Sequence, residues 1–146
     1  MTYYKAQTTN SIACCLSCAL DKLALLDDDH QGLSSSRNHL STAVWLMDEH
    51  YRTWHSIIWK HSDRITKQRV REQLKTLAYD AYTAFVQAIT LLNDYVEEQL
   101  QKERNGEPVT PPPPWWNEML TSLRLAESAF LKEYHNDITN KQLRLF

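Results

Sequence analysis

Glycine is almost missing from this chain: Gly32 and Gly106 are the 2 in 146 residues. Strands joined by tight turns need residues that tolerate positive φ, so this scarcity disfavours a sheet protein and points to helices. Long apolar runs are lacking too. Nowhere do about 18 uncharged apolar residues follow one another, so no membrane span is expected. The Ala-, Cys- and Leu-rich stretch from Ile12 to Leu26 is the nearest thing to a secretion signal, but Asp21 and Lys22 interrupt it. No small-residue cleavage pattern follows it. Cysteine is scarce and crowded: Cys14, Cys15 and Cys18 are the only 3. An odd number so closely spaced makes a poor disulfide framework and suits a reducing compartment, so a cytoplasmic protein is expected. A formal net charge of -2 excludes a grip on nucleic acid through overall charge and leaves room for a local patch. There is no Gly-rich phosphate loop, nucleophile elbow or H-E-x-x-H, so the sequence asks for neither an enzyme nor a cofactor.

What is present is the material of one globular domain, 42% hydrophobic and 23% charged. Its periodicity divides it into four helical segments. In the first, Ile12, Leu16, Ala19, Leu23 and Leu26 keep one face apolar until "DDDHQG". The second follows "LSSS", where Ser34 to Ser36 are candidate caps, and carries Leu40, Val44, Met47, Tyr51, Trp54 and Ile58. The third opens with Ser62 or Asp63 as cap. It has two adjacent stripes, Val70, Leu74, Leu77, Ala81, Ala84, Ala88, Leu91 and Tyr95 beside Ala78, Tyr82, Phe85, Ile89, Leu92 and Val96. Such breadth fits a helix touching two neighbours in a bundle. Asn105 and Gly106 supply its stop. "VTPPPPWW" then crosses as a stiff strap, because prolines favour extended polyproline geometry, and a fourth helix starts near Trp115. Trp116, Leu120, Leu123, Ala126, Phe130 and Tyr134 share its face with Met119 beside them, while Leu125, Ala129 and Leu131 fall off it. The expected fold is an all-α four-helix bundle over 1–136 with an extended tail over 137–146.

Three features invite chemistry. Of the six histidines, His39, His50 and His61 recur every 11 residues and would line up along one helix. Successive members stand roughly 16 Å apart at about 1.5 Å rise per residue, too far to share an ion. They are expected on the bundle surface, with no metal bound. Cys14 and Cys18 share a helix face, yet three sulfurs without a second C-x-x-C pair make a weak zinc signal, and small apolar core residues are the expectation. Arg64, Lys67, Arg71 and Lys75 step by 3, 4 and 4 and form a basic stripe able to neutralise several phosphates; its bland alternative is a solvated helix face.

The last stretch, "NKQLRLF", raises a different question, because Leu143, Leu145 and Phe146 stand at its end with nothing after them to cover them. The polar "NDITNK", residues 136–141, is expected to break the helix and give a tether of about 20 Å if extended. The final five residues resemble the bacterial β sliding-clamp-binding motif, Q-L-S/D-L-F, at Gln142, Leu143, Leu145 and Phe146; Arg144 departs, standing where Ser or Asp is usual. Four such identities in the last positions would arise by chance on the order of once in tens of thousands of sequences. The resemblance implies that Leu145 and Phe146 enter the clamp's deeper pocket and that Gln142 engages a neighbouring one. It implies a non-enzymatic replication or repair accessory or regulatory protein, of phage, plasmid or host origin, with the clamp as partner and no membrane. Two other readings stand beside it: a nucleic-acid-binding helical module using the basic stripe, and a metal-dependent bundle enzyme whose tail is structural.

Overall fold

The computed structural model describes the backbone of residues 2–26, 30–55, 63–109 and 111–144, with side chains described from residue 12 to residue 134 within those spans. Helices take up nearly all of it: α1 (Thr2–Leu23), α2 (Gln31–Trp54), α3 (Arg64–Arg104) and α4 (Trp116–Arg144). No strand occurs among the described residues. The architecture is the four-helix, all-α bundle expected from periodicity.

Side-chain pairings fix its sense. Ser36 Oγ donates to the Ala88 carbonyl at 3.0 Å and His30 meets Glu98, so α2 runs antiparallel to α3. The Phe85 and Phe130 rings lie 5.5 Å apart and the Tyr95 and Trp116 rings 6.2 Å apart, so α4 also opposes α3. Lys22 pairs with Glu118, which sets α1 against α4 in the same antiparallel way. α1 also packs on α2, closing an up-down-up-down ring.

The core follows the expected stripes with informative shifts. In α1, Ile12, Leu16, Ala19 and Leu23 are buried. In α3 the buried residues are Leu74, Ala78, Ala81, Ala84, Phe85, Ala88, Leu92 and Tyr95, drawn from both stripes as a helix between two neighbours requires. In α4, Met119, Leu123, Ala126, Phe130 and Tyr134 are buried, and Leu125 and Leu131 are exposed. In α2 the buried row is Leu33, Ser36, Leu40, Ala43, Met47 and His50, with Tyr51 exposed beside it. Two polar residues sit in that row, which is why hydrophobicity alone set the face slightly askew. Ile58 lies outside the described residues.

Termini and caps also refine the sequence reading. The cap of α2 is His30 rather than Ser34–Ser36: its Nδ1 accepts from the Gly32 amide at 3.0 Å. A Cβ on Gly32 would stand 2.9 Å from His30 Cε1, so a larger residue there would push the capping ring off the helix end. Ser36, expected near the cap, is instead buried against α3. Asp63 caps α3 as expected, its Oδ1 accepting from the Thr66 amide at 2.7 Å. This bond is the main reason its carboxyl is held below the usual range. At the other end the Gly106 amide donates to the Glu103 carbonyl and the Glu107 amide to the Lys102 carbonyl, with Gly106 at φ 74°, the paired bonds of a Schellman stop.

The largest departure is at the end of α4. The extended segment expected from residue 137 is helical in backbone as far as Arg144. "NDITNK" contains neither glycine nor proline, and polar residues weaken a helix without stopping it. The break falls earlier, at Tyr134, whose φ of -117° and ψ of 16° put a kink between the two parts of the helix.

Candidate functional site

The antiparallel pairings give the bundle two distinct ends. One holds residues 24–26 after α1, His30 before α2 and the proline strap between α3 and α4. The other holds the start of α3 and the C-terminal part of α4.

The basic stripe lies at the second end. Between residues 64 and 79 α3 carries five basic side chains, Arg64, Lys67, Arg69, Arg71 and Lys75, against one acid, Glu72. Of the stripe, Arg64, Arg71 and Lys75 are exposed and Lys67 is half-buried, so its four members share a solvent-facing surface; Arg69 is exposed too, about 160° round the helix from Arg71. Lys75 Nζ stands 3.6 Å from Glu72 Oε1. Ile65 is 67% exposed within the same turn as Arg64. From Arg64 to Lys75 the stripe spans about 16 Å of helix, the reach of several phosphates along one strand. Of the tail residues, Gln142 and Leu143 belong to the helical backbone of α4, and Leu145 and Phe146 lie outside the described residues.

The histidines take unexpected places. His50 is 3% exposed, which overturns its expected surface position: its ring sits edge-on to Tyr134 at 5.1 Å, beside the kink of α4. His39 is half-buried and His61 lies outside the described residues. His30 engages both ring nitrogens, Nδ1 with the Gly32 amide and Nε2 with Glu98 Oε2 at 2.6 Å. While Nδ1 accepts, the ring proton sits on Nε2 and is donated to the carboxylate. That hydrogen bond is the first cause holding the Glu98 carboxyl below its usual range. The cysteines correct another expectation. Cys14 and Cys18 are exposed and Cys15 is half-buried, because the core row of α1 runs through Leu16 and Ala19 on another face. Partial burial, with its two neighbouring thiols adding, pushes the Cys15 thiol up. Among the described residues no group of three His, Cys, Asp or Glu side chains is placed to hold a metal ion, and no described helix is long and apolar enough to cross a membrane.

Sequence reasoning foresaw the strap but not what it encloses. Pro111–Pro113, Val109 and Leu26 close one side of a cavity of about 830 Å³; α3 supplies Tyr95, Val96, Gln99, Leu100 and Glu103, and Trp116 of α4 closes its end. The strap is pinned by a hydrogen bond from the Trp116 amide to the Pro113 carbonyl at 3.1 Å. The available signal was the persistence of apolar spacing to Leu100, beyond the level at which His30 of α2 meets Glu98. Acids dominate this end: from residue 94 to 104 α3 carries Asp94, Glu97, Glu98 and Glu103 against Lys102 and Arg104.

Comparison with protein-family models, curated proteins and solved structures finds no match for this chain.

Proposed function

We propose that this protein is a non-enzymatic accessory or regulatory factor of DNA replication or repair, which docks on the bacterial β sliding clamp through Gln142, Leu143, Leu145 and Phe146 and works in the reducing cytoplasm. The observation that carries the reading is the motif itself, QLRLF at 142–146. Two leucines and a phenylalanine suit apolar pockets, and a glutamine amide sets register through hydrogen bonds. Docking of an extended peptide requires the last turn of α4 to unwind. Helix ends fray at little cost, so the requirement is compatible with tight binding.

The basic stripe favours a second element of the same reading. α4 opposes α3, so the C-terminal part of α4 and residues 64–75 of α3 fall at one end of the bundle, beyond the Phe85 and Phe130 contact. A clamp rides on duplex DNA, so a protein held to it by this tail would carry its basic end close to the phosphate backbone. The stripe then adds a salt-sensitive contact to a peptide anchor. Calorimetry with purified clamp tests the proposal. The intact chain should bind and a chain lacking 142–146 should not; an intact chain that releases no heat and gives no complex on gel filtration would sink the idea.

A further inference from the structure

The groove under the proline strap has no part in clamp docking, and its chemistry specifies a ligand. Its volume of about 830 Å³ falls within the roughly 300–1,000 Å³ of small-molecule sites. Its wall is ordered along α3 in two rows. Tyr95, Gln99 and Glu103 step by four and so do Val96 and Leu100, and all five line the cavity. At 1.5 Å per residue, Tyr95 and Glu103 stand about 12 Å apart along the groove. The inner end is aromatic, where the Tyr95 and Trp116 rings lie 6.2 Å apart. The outer end is a carboxylate: Glu103 is exposed and makes no ion pair with a described residue.

The charges around that mouth reinforce it. Glu97, Glu98 and Glu107 are exposed on the same end of the bundle. Lys102 is occupied at 3.6 Å from Glu98, and Arg104 stands about 100° round the helix from Glu103. Leu100 at 40% and Val109 at 38% exposure leave apolar wall open to solvent.

We infer that this groove binds a small organic cation: an apolar body about 10–12 Å long, laid between the strap and α3 with its far end against Tyr95 and Trp116, and an ammonium or guanidinium group at Glu103. The strap suits such a ligand because its prolines are already fixed in extended geometry and lose little freedom when the groove fills. The site is at the opposite end from the tail, so it stands whether or not the clamp reading does.

Titration calorimetry with octyltrimethylammonium and octyl sulfate, each kept below its micelle concentration, tests it. The two probes share a chain and differ in the sign of the head group. The cation should bind once per chain and at least about tenfold more tightly than the sulfate, the effect of one opposed charge pair. Glu103→Gln should cut that preference at least several-fold, leaving only the background of Glu97, Glu98 and Glu107. Leu100→Asn should weaken the cation several-fold, and both variants should melt as wild type does because both positions are exposed. Deleting 142–146 should change nothing. Equal binding of the two probes, binding of neither, or a preference undiminished by Glu103→Gln would each overturn the inference.

Discussion

At the end of the bundle where α3 begins, Arg64, Arg69, Arg71 and Lys75 face solvent; at the end where it stops, Glu97, Glu98 and Glu103 do, beside an apolar groove. One 41-residue helix carries both surfaces. Its own stability does not ask for this arrangement. A helix dipole favours acids at the start and bases in the last turn; Asp63 at the cap obeys it, yet the first turn of α3 itself has no acid and opens with Arg64 and Lys67. Lys102 and Arg104 obey the dipole at the far end, within a neighbourhood that is otherwise acidic. The core does not ask for it either, since the buried row from Leu74 to Tyr95 runs through both halves unchanged. Charge segregated along one helix, on positions that packing leaves free, is the feature on which the two proposed partners, of different chemistry, rest.

The tail offers the strongest way to break that comparison. Changing Leu145 and Phe146 together to alanine should weaken clamp binding by roughly a thousandfold, because each truncated anchor at a desolvated pocket costs about 2 kcal/mol. The thermal midpoint should stay where it is. A fall of several degrees would mean that these side chains belong to the bundle's own core, and the basic end would lose its partner. Arg144→Asp restores the motif's usual residue and should hold or raise affinity. Asn140→Pro, which destabilises the last turns of α4, should raise it by a few-fold if unwinding precedes docking. Equal affinity would mean the helix end frays freely already.

Reversing Arg64, Lys67, Arg71 and Lys75 to glutamate tests the stripe. Duplex binding by the intact chain should fall with salt at a log–log slope of about -4 if four phosphates are neutralised, and the variant should lose at least a hundredfold at low salt. Its cooperative unfolding should persist, since none of the four is buried. Unchanged DNA affinity would return the stripe to a solvated helix face.

Legibility in the sequence followed the physics of each feature. Helix order, the double stripe of α3, the Asp63 cap and the Asn105–Gly106 stop could all be read, because periodicity and caps are local. The errors lie where a polar atom finds its partner across the bundle. Ser36 reads as a cap and is a core residue because the Ala88 carbonyl, 52 positions away, accepts its hydroxyl. His50 reads as surface and is buried because Tyr134 meets its ring. His30, capping α2 through a ring nitrogen, is an uncommon cap that composition rules pass over. The groove escaped notice because a strap's sequence tells that it is stiff, not what lies beneath it.

Between the two ends, Ser36→Ala is a control that should touch neither. Losing one buried hydrogen bond costs about 1 kcal/mol, a fall of about 3 °C in midpoint for a chain of this size. Clamp, DNA and cation binding should all be unchanged. A binding loss here would show that the ends communicate through the α2–α3 seam.

The smallest expected effect belongs to the acidic end and is read in pH rather than in affinity. Glu98 accepts a hydrogen bond from the Nε2–H of His30 at 2.6 Å, and that bond depresses its carboxyl below the ordinary value of 4.5, with the charge of Lys102 adding. A carboxyl depressed on folding contributes stability that is fully present above its unfolded value and is lost as pH falls through its folded one. Glu98 is exposed, so solvent screening keeps the contribution small. Comparing the melting of wild type and Glu98→Gln across pH isolates it. Wild type should be slightly the more stable at pH 6 to 7, the gap should narrow below the ordinary carboxyl value, and it should vanish once Glu98 is protonated in the folded state as well. A gap that is constant across this range would mean that the link between the cap of α2 and the end of α3 works through packing of the His30 ring on Tyr95, 5.1 Å away, and not through the carboxylate.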